Sequence, residues 1–137
     1  MSELLEKARS YEAKKIAATD KESKPLFHIS APAGWINDPN GFSVYNGKIH
    51  LFYQYYPYLR EWGPMHWGHS TTSDMIKWEQ LPCVLAPDEE YDKKGCFSGS
   101  AIEADGKHVL VYTGVTRIKL PDGSEQERQN QCIAFGD

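Results

Sequence analysis

Shifted by 59 residues, this chain falls on itself. Asn46-Gly47-Lys48 lies over Asp105-Gly106-Lys107, Leu51 over Leu110, Phe52 over Val111 and Tyr53 over Tyr112. Each unit sets an Asx-Gly pair between apolar and aromatic runs, the sequence signature of a β-hairpin. Two unrelated hairpins would overlay in a similar way; a true repeat makes them copies of one unit. A period somewhat above the ~40–50 residues common in propellers predicts blades with long loops. Propeller blades are small antiparallel sheets set around a central channel. The expectation is therefore an all-β fold holding about two blades. Strands are predicted over 41–45, 49–54, 66–71, 97–103, 108–113 and 131–135. Residues 119–128 are polar, contain Pro121-Asp122-Gly123, and read as a loop.

The front of the chain differs. Over 2–18, Ser2 can cap a helix whose Leu4, Leu5, Ala8 and Tyr11 fall on one stripe. Lys24-Pro25 ends it. The predicted organisation is a helical arm over 1–24 and a partial propeller over 25–137, the first blade and part of the second.

Composition excludes some partners. With 19 acidic and 15 basic residues the net charge is −4, which argues against nucleic acid. No stretch reads as a membrane-surface helix, a membrane span or a signal peptide. Cys83, Cys96 and Cys132 lie far apart without metal-ligand spacing. An odd number of cysteines and no export signal predict reduced thiols and a cytoplasmic protein. His66 and His69 are three apart in a predicted strand and so face opposite sides, a poor metal pair. No metal site is expected.

Residues 34–41 read Gly-Trp-Ile-Asn-Asp-Pro-Asn-Gly. Pro39 disfavours the helical region for the residue before it, which holds Asp38 extended. Asp-Pro-Asn-Gly also fits a β-turn. A carboxylate held rigidly at a turn suits a nucleophile for a sugar carbon, although the tetrapeptide alone is a common turn. The repeat carries Asp38 onto Phe97 and Pro39 onto Ser98. Phe97-Ser98-Gly99-Ser100 should then begin the first strand of the second blade and face the same channel. Gln54 sits in an aromatic strand, where its amide can serve vicinal hydroxyls or be satisfied by nearby backbone. Trp62 lies in a Gly/Pro loop and offers an indole face to sugar C–H groups. Trp67, within a strand, reads as core. Cys96 reads as a small core residue, with no histidine near it in sequence to activate it. Asp74 is expected to cap a tight turn and Trp78 to seal a blade.

Several segments together resemble a known family. They are the octapeptide 34–41, Phe52-Tyr53-Gln54-Tyr55-Tyr56-Pro57, Ser73-Asp74-Met75-Ile76-Lys77-Trp78 and Phe97-Ser98-Gly99-Ser100. They are similar to signature segments of the family 32 glycoside hydrolases, the invertases, β-fructofuranosidases and sucrose-6-phosphate hydrolases. The resemblance covers 25–137. It implies a five-bladed propeller and retaining hydrolysis of terminal β-fructofuranosides, with sucrose or sucrose 6-phosphate as substrate. It makes Asp38 the nucleophile and gives substrate contacts to Asn37, Gln54, Trp62, Phe97 and Ser98. It implies no metal or organic cofactor. The partner would be a small carbohydrate, not nucleic acid or a membrane.

The family's general acid comes from a Glu-Cys motif and its stabilising aspartate from an Arg-Asp-Pro motif. Neither occurs in these 137 residues, so the chain is expected to be the front of such an enzyme. The local carboxylates Asp88, Glu89, Glu90, Asp92 and Glu103 are the substitutes at hand, and most sit in what reads as a solvated loop. Two other readings follow from the missing acid. One is a non-catalytic sugar-binding or assembly module. The other is an inverting propeller glycosidase with Asp38 as base, its two carboxyl groups roughly 6.5–9.5 Å apart rather than about 5–5.5 Å.

Overall fold

The computed structural model describes residues 1–136. A helix, α1 (Glu3–Ala18), and a short 3₁₀ turn (Lys21–Ser23) precede seven strands. These are β1 (Trp35–Tyr45), β2 (Lys48–Tyr56), β3 (His66–Thr72), β4 (Glu79–Leu85), β5 (Gly95–Ala104), β6 (Lys107–Lys119) and β7 (Glu125–Gly136). They form two antiparallel sheets, ordered β1-β2-β3-β4 and β5-β6-β7.

The repeat is real in three dimensions. Asn46 and Gly47 have φ of 48° and 71°, and Asp105 and Gly106 have 51° and 72°. Two consecutive positive φ values match the twist of the flanking strands, which is why Asx-Gly closes both hairpins. The last pairs before each turn, Tyr45 with Lys48 and Ala104 with Lys107, correspond under the 59-residue shift. The leading strands β1 and β5 lie side by side.

The Asp-Pro-Asn-Gly turn does not form. β1 runs straight through it, with shifts in pairing between Ile36 and Pro39 and between Asn40 and Ser43. A proline lacks the ladder donor but is tolerated in an edge strand at a bulge. β1 is such an edge. Gly41 adopts φ +50°, and a Cβ there would meet the Phe52 ring at 2.7 Å, so this position requires glycine.

Two further expectations change. Residues 119–128 belong mostly to a long hairpin, with β6 and β7 paired out to Lys119 and Glu125. The outer half of β7 is solvent-exposed, so no apolar alternation marks it as strand. β4 was not among the predicted strands; it contains Pro82 and is also an edge strand, where a missing ladder donor is tolerated.

The first sheet is covered on both faces. Phe52, Trp67, Cys96, Leu110, Tyr112 and Cys132 fill the space between the sheets. Ala8 of α1 packs against Tyr53, Tyr55 and Cys83 on the other face. Ser2 caps α1 as expected, accepting from Leu5 N–H at 3.2 Å. Leu4 departs from the predicted stripe and is exposed, whereas Glu12 is buried. Glu12 Oε2 accepts from the backbone N–H of Cys83 at 3.1 Å. Arg9 Nε donates to the Cys83 carbonyl at 2.7 Å. The helix thus satisfies an edge strand by side chains, a position otherwise open to another chain. Burial pushes the Glu12 carboxyl up, and the Cys83 N–H opposes it.

Three histidines meet between the sheets. His50 Nδ1 lies 2.9 Å from His69 Nε2, and Ser43 Oγ lies 2.9 Å from His108 Nε2. The His50 ring centre is 5.1 Å from that of His69 and 4.8 Å from that of His108. Burial lowers all three pKa values, His69 to about 3, and the charges of the neighbouring histidines and of Lys48 act in the same direction. Below about pH 6.5 the unfolded chain takes up protons that the folded chain refuses. The stabilisation is complete above that pH and is lost as pH falls toward the lowered values. Thermal melts of the complete gene product should therefore drop between pH 7 and pH 5. His69→Gln should flatten this slope, and an unchanged slope would remove the cluster as its cause.

Candidate active site

Two bulges build the site, next to Tyr53 and Tyr112, which correspond under the 59-residue shift. The second bulge of β1, which β5 lacks, moves the strand heads one residue out of that register. Asp38 therefore falls on Ser98 and not, as expected, on Phe97. In β1 the pairing shift leaves Asn37 and Asp38 outside the ladder, next to Gln54 of β2. In β5 a shift between Phe97 and Gly99 leaves Ser98 outside it. A bulge re-aims the side chains it carries. Here it turns Asp38 and Ser98 toward each other across the seam between the sheets. The Ser98 hydroxyl donates to Asp38 Oδ2 at 3.4 Å, and both residues are exposed.

The other predicted residues gather nearby, with different duties. Asn37 is exposed, and its Oδ1 accepts from the indole N–H of Trp35 at 2.8 Å. Trp62 is 58% exposed. It meets Phe97 edge-on, with ring centres 6.2 Å apart at 89°. Trp67 is core, as expected, at 0% exposure, and its Nε1–H reaches the Phe97 carbonyl at 3.2 Å. Gln54 is buried, and its Nε2 donates to the Cys96 carbonyl at 3.0 Å. Of the two readings of Gln54, satisfaction by nearby backbone describes one of its amide hydrogens.

Sequence reasoning passed over Asn40, which is buried between these groups. With its amide oriented to satisfy both ends, Nδ2 donates to Ser98 Oγ at 3.3 Å and to the Pro39 carbonyl at 3.2 Å. Its Oδ1 then accepts from Gln54 Nε2 at 3.1 Å and from Gln54 N–H at 3.3 Å. The available signal was a polar residue sharing a strand with Asp38 two positions away, hence on the same face.

Of the substitute carboxylates, Glu89 and Glu90 are exposed in a turn, as the solvated-loop reading expects, but Asp92 is not. Asp92 is fully buried: it accepts from Tyr112 Oη at 2.8 Å and from Glu89 N–H at 2.8 Å. Burial pushes its carboxyl up, and it serves the core. Asp88 is hydrogen-bonded by the Ser2 hydroxyl. Glu103 stands five residues beyond Ser98 on β5, about 16 Å away at roughly 3.3 Å per residue. Asp74 does cap its turn, accepting from Ile76 and Lys77 N–H at 2.9 and 2.8 Å. Cys83, Cys96 and Cys132 are free and buried, and burial raises the Cys96 thiol well above its ordinary range.

Among the described residues no group of three or more His, Cys, Asp or Glu is arranged to hold a metal. No helix among the described residues is long and apolar enough to cross a membrane. A cavity of about 580 Å³ lies over the hairpin ends, lined by Tyr45, His50, His108 and Phe135 among others. None of the six predicted site residues lines it. Asp38 and its neighbours stand on an open face: an exposed carboxylate with one hydroxyl donor, flanked by an aromatic corner. Such a face can present a nucleophile or base to a ligand that stacks on the corner.

Comparison with known proteins places this arrangement. The family model for the glycosyl hydrolases family 32 N-terminal domain matches residues 28–137. The chain belongs to glycosyl hydrolase family 32. Its two sheets are blades of the five-bladed propeller of that family's N-terminal domain. The chain is 49% identical over 110 residues to a sucrose-6-phosphate hydrolase of Escherichia coli, covering 80% of this chain and 23% of that protein. It is 48% identical over 134 residues to a levanase of Bacillus subtilis, covering 96% of this chain and 19% of that one. Among solved structures, a Bombyx mori family 32 β-fructofuranosidase superposes with a TM-score of 0.81 at 45% identity. That match covers 96% of this chain and 27% of the other. A mutant of the same Bombyx enzyme in complex with sucrose superposes equally well, at 44% identity. The chain thus spans about a quarter or less of the length of these family 32 relatives.

The exposed Trp62 has a measurable consequence. Trp62→Ala in the complete gene product should raise the KM for a fructoside about five- to tenfold, the scale of one lost aromatic contact. Its melting temperature should hardly move. A large fall in melting temperature with KM unchanged would make Trp62 a packing residue.

Proposed function

We propose that the complete protein is a retaining glycoside hydrolase that removes terminal β-fructofuranosyl units, with sucrose or sucrose 6-phosphate as substrate. The observation that carries this reading is the exposed Asp38 carboxylate beside the Ser98 hydroxyl at 3.4 Å, at the seam of two propeller blades. Asp38 attacks the anomeric carbon of the fructosyl unit, and water then releases the fructosyl-enzyme. Asn37, Gln54, Trp62, Phe97 and Ser98 position the ring. The leaving oxygen takes its proton from an acid outside residues 1–137, and neither a metal nor an organic cofactor takes part. The similarity to a sucrose-6-phosphate hydrolase and to a β-fructofuranosidase mutant in complex with sucrose supports this substrate class. Cytoplasmic residence is part of the proposal: the three unpaired thiols suit a reducing compartment.

A second reading rests on a specific observation, the lack of Glu-Cys and Arg-Asp-Pro in these residues. It makes the chain a sugar-binding module without chemistry. Two measurements separate them. Asp38→Asn in the complete gene product should abolish fructose release from both sugars while sugar binding persists; one tenth or more of the wild-type kcat would strip Asp38 of the nucleophile role. The 137-residue chain made alone should release no fructose, because general acid help is typically worth about 10²–10⁴-fold. Turnover by that chain, lost on Asp38→Asn, would place an acid inside it. If the complete gene product binds sucrose but never cleaves it, the binding-module reading stands.

A further inference from the structure

We propose that Asn40 is a positioning residue: it aims the Ser98 hydroxyl at the Asp38 carboxylate. The proposal rests on the reading of Asp38 as the reacting group, and its argument is one of donor and acceptor count.

Ser98 has one hydroxyl proton and can send it to only one acceptor. Asn40 Nδ2 lies 3.3 Å from Ser98 Oγ and Asp38 Oδ2 lies 3.4 Å from it. If Asn40 presented its oxygen to Ser98, the proton would have two competing destinations. It presents nitrogen instead. That polarity is imposed from the other end of the amide, where Gln54 offers two donors, its backbone N–H at 3.3 Å and Nε2 at 3.1 Å. Reversing the Asn40 amide would set nitrogen against both of these donors and oxygen against the Pro39 carbonyl. In a buried site each such mismatch is costly. Gln54 is itself held, because its second amide hydrogen goes to the Cys96 carbonyl at 3.0 Å.

The chain of bonds therefore runs in one direction. Cys96 carbonyl fixes Gln54, Gln54 fixes the Asn40 amide, and Asn40 occupies a lone pair of Ser98. The one remaining proton points to Asp38. A hydrogen bond donated to a carboxylate holds it in one orientation, which attack on a carbon requires. The 3.4 Å separation is long, as such bonds often are before a ligand is bound. The hydrogen bonds of the Asn40 amide go to Ser98, Pro39 and Gln54 and not to Asp38, so it acts through Ser98.

The test uses the complete gene product. Asn40→Asp is nearly isosteric and keeps an acceptor for Gln54, but turns the donor facing Ser98 into an acceptor that captures its proton. Asn40→Ala removes the donor without adding charge. Both should lower kcat for sucrose or sucrose 6-phosphate about tenfold or more with KM changed less than about twofold, the pattern of an interaction made in the transition state. In a Ser98→Ala background, Asn40→Ala should cost almost nothing further, since residues acting in one relay are non-additive. Additive losses, or a fall in melting temperature without the kcat change, would overturn the relay. Crystal structures of the wild type and of Asn40→Asp give a readout independent of turnover: Ser98 Oγ should leave Asp38 for residue 40. If the wild type cleaves no fructoside, the functional reading fails, and the crystal comparison alone decides the relay. Ser98 Oγ remaining on Asp38 in the variant would then refute it.

Discussion

The relation between the two sheets hangs on the backbone of one residue. The Cys96 N–H donates to the Met65 carbonyl at 2.8 Å, and the Cys96 carbonyl accepts from Gln54 Nε2 at 3.0 Å. The second sheet is thus gripped from both sides at the root of its first strand. One residue on, Trp67 Nε1 reaches the Phe97 carbonyl at 3.2 Å. Each such bond contributes only about 1 kcal/mol net. Burial of Phe52, Trp67, Leu110 and Tyr112 between the sheets contributes more, but without direction. The polar bonds set the angle and height at which β5 meets β1. An exposed carboxylate on one sheet and a hydroxyl on the other can share a proton only because that height is fixed.

The large elements were legible in the sequence for physical reasons. Asx-Gly pairs demand positive φ, so both hairpins announced themselves at 46–47 and 105–106. Aromatic runs such as 52–56 cannot stay in water, so β2 was plain. The helix was marked by its cap. Missing elements share one property: their pattern answers to an edge or to solvent rather than to a core. β4 carries Pro82, and the outer part of β7 is polar on both faces. Asp-Pro-Asn-Gly misled in the opposite way, since a local turn preference yielded to pairing with β2 across two bulges.

The site was legible at the level of residues and not of contacts. Asp38 and Ser98 could be placed together because the repeat carries one strand head onto the other. Gln54 and Asn40 could not be separated into a binder and a support, because their amides look alike in sequence and differ only in what buries them. Asp92 illustrates the same limit. It sits among Glu89, Glu90 and Lys93, yet its carboxyl points inward to Tyr112.

Both blades break their ladder at the same place, β1 before Pro39 and β5 before Gly99. An irregularity present in both copies belongs to the blade itself and not to the acid group that one copy carries. The kink is a socket, and the chemistry is what is plugged into it. Asp38 and Ser98 occupy two such sockets with a reacting group and its helper. A fold assembled this way can exchange one function for another by changing a single side chain at each strand head, while every strand keeps its path.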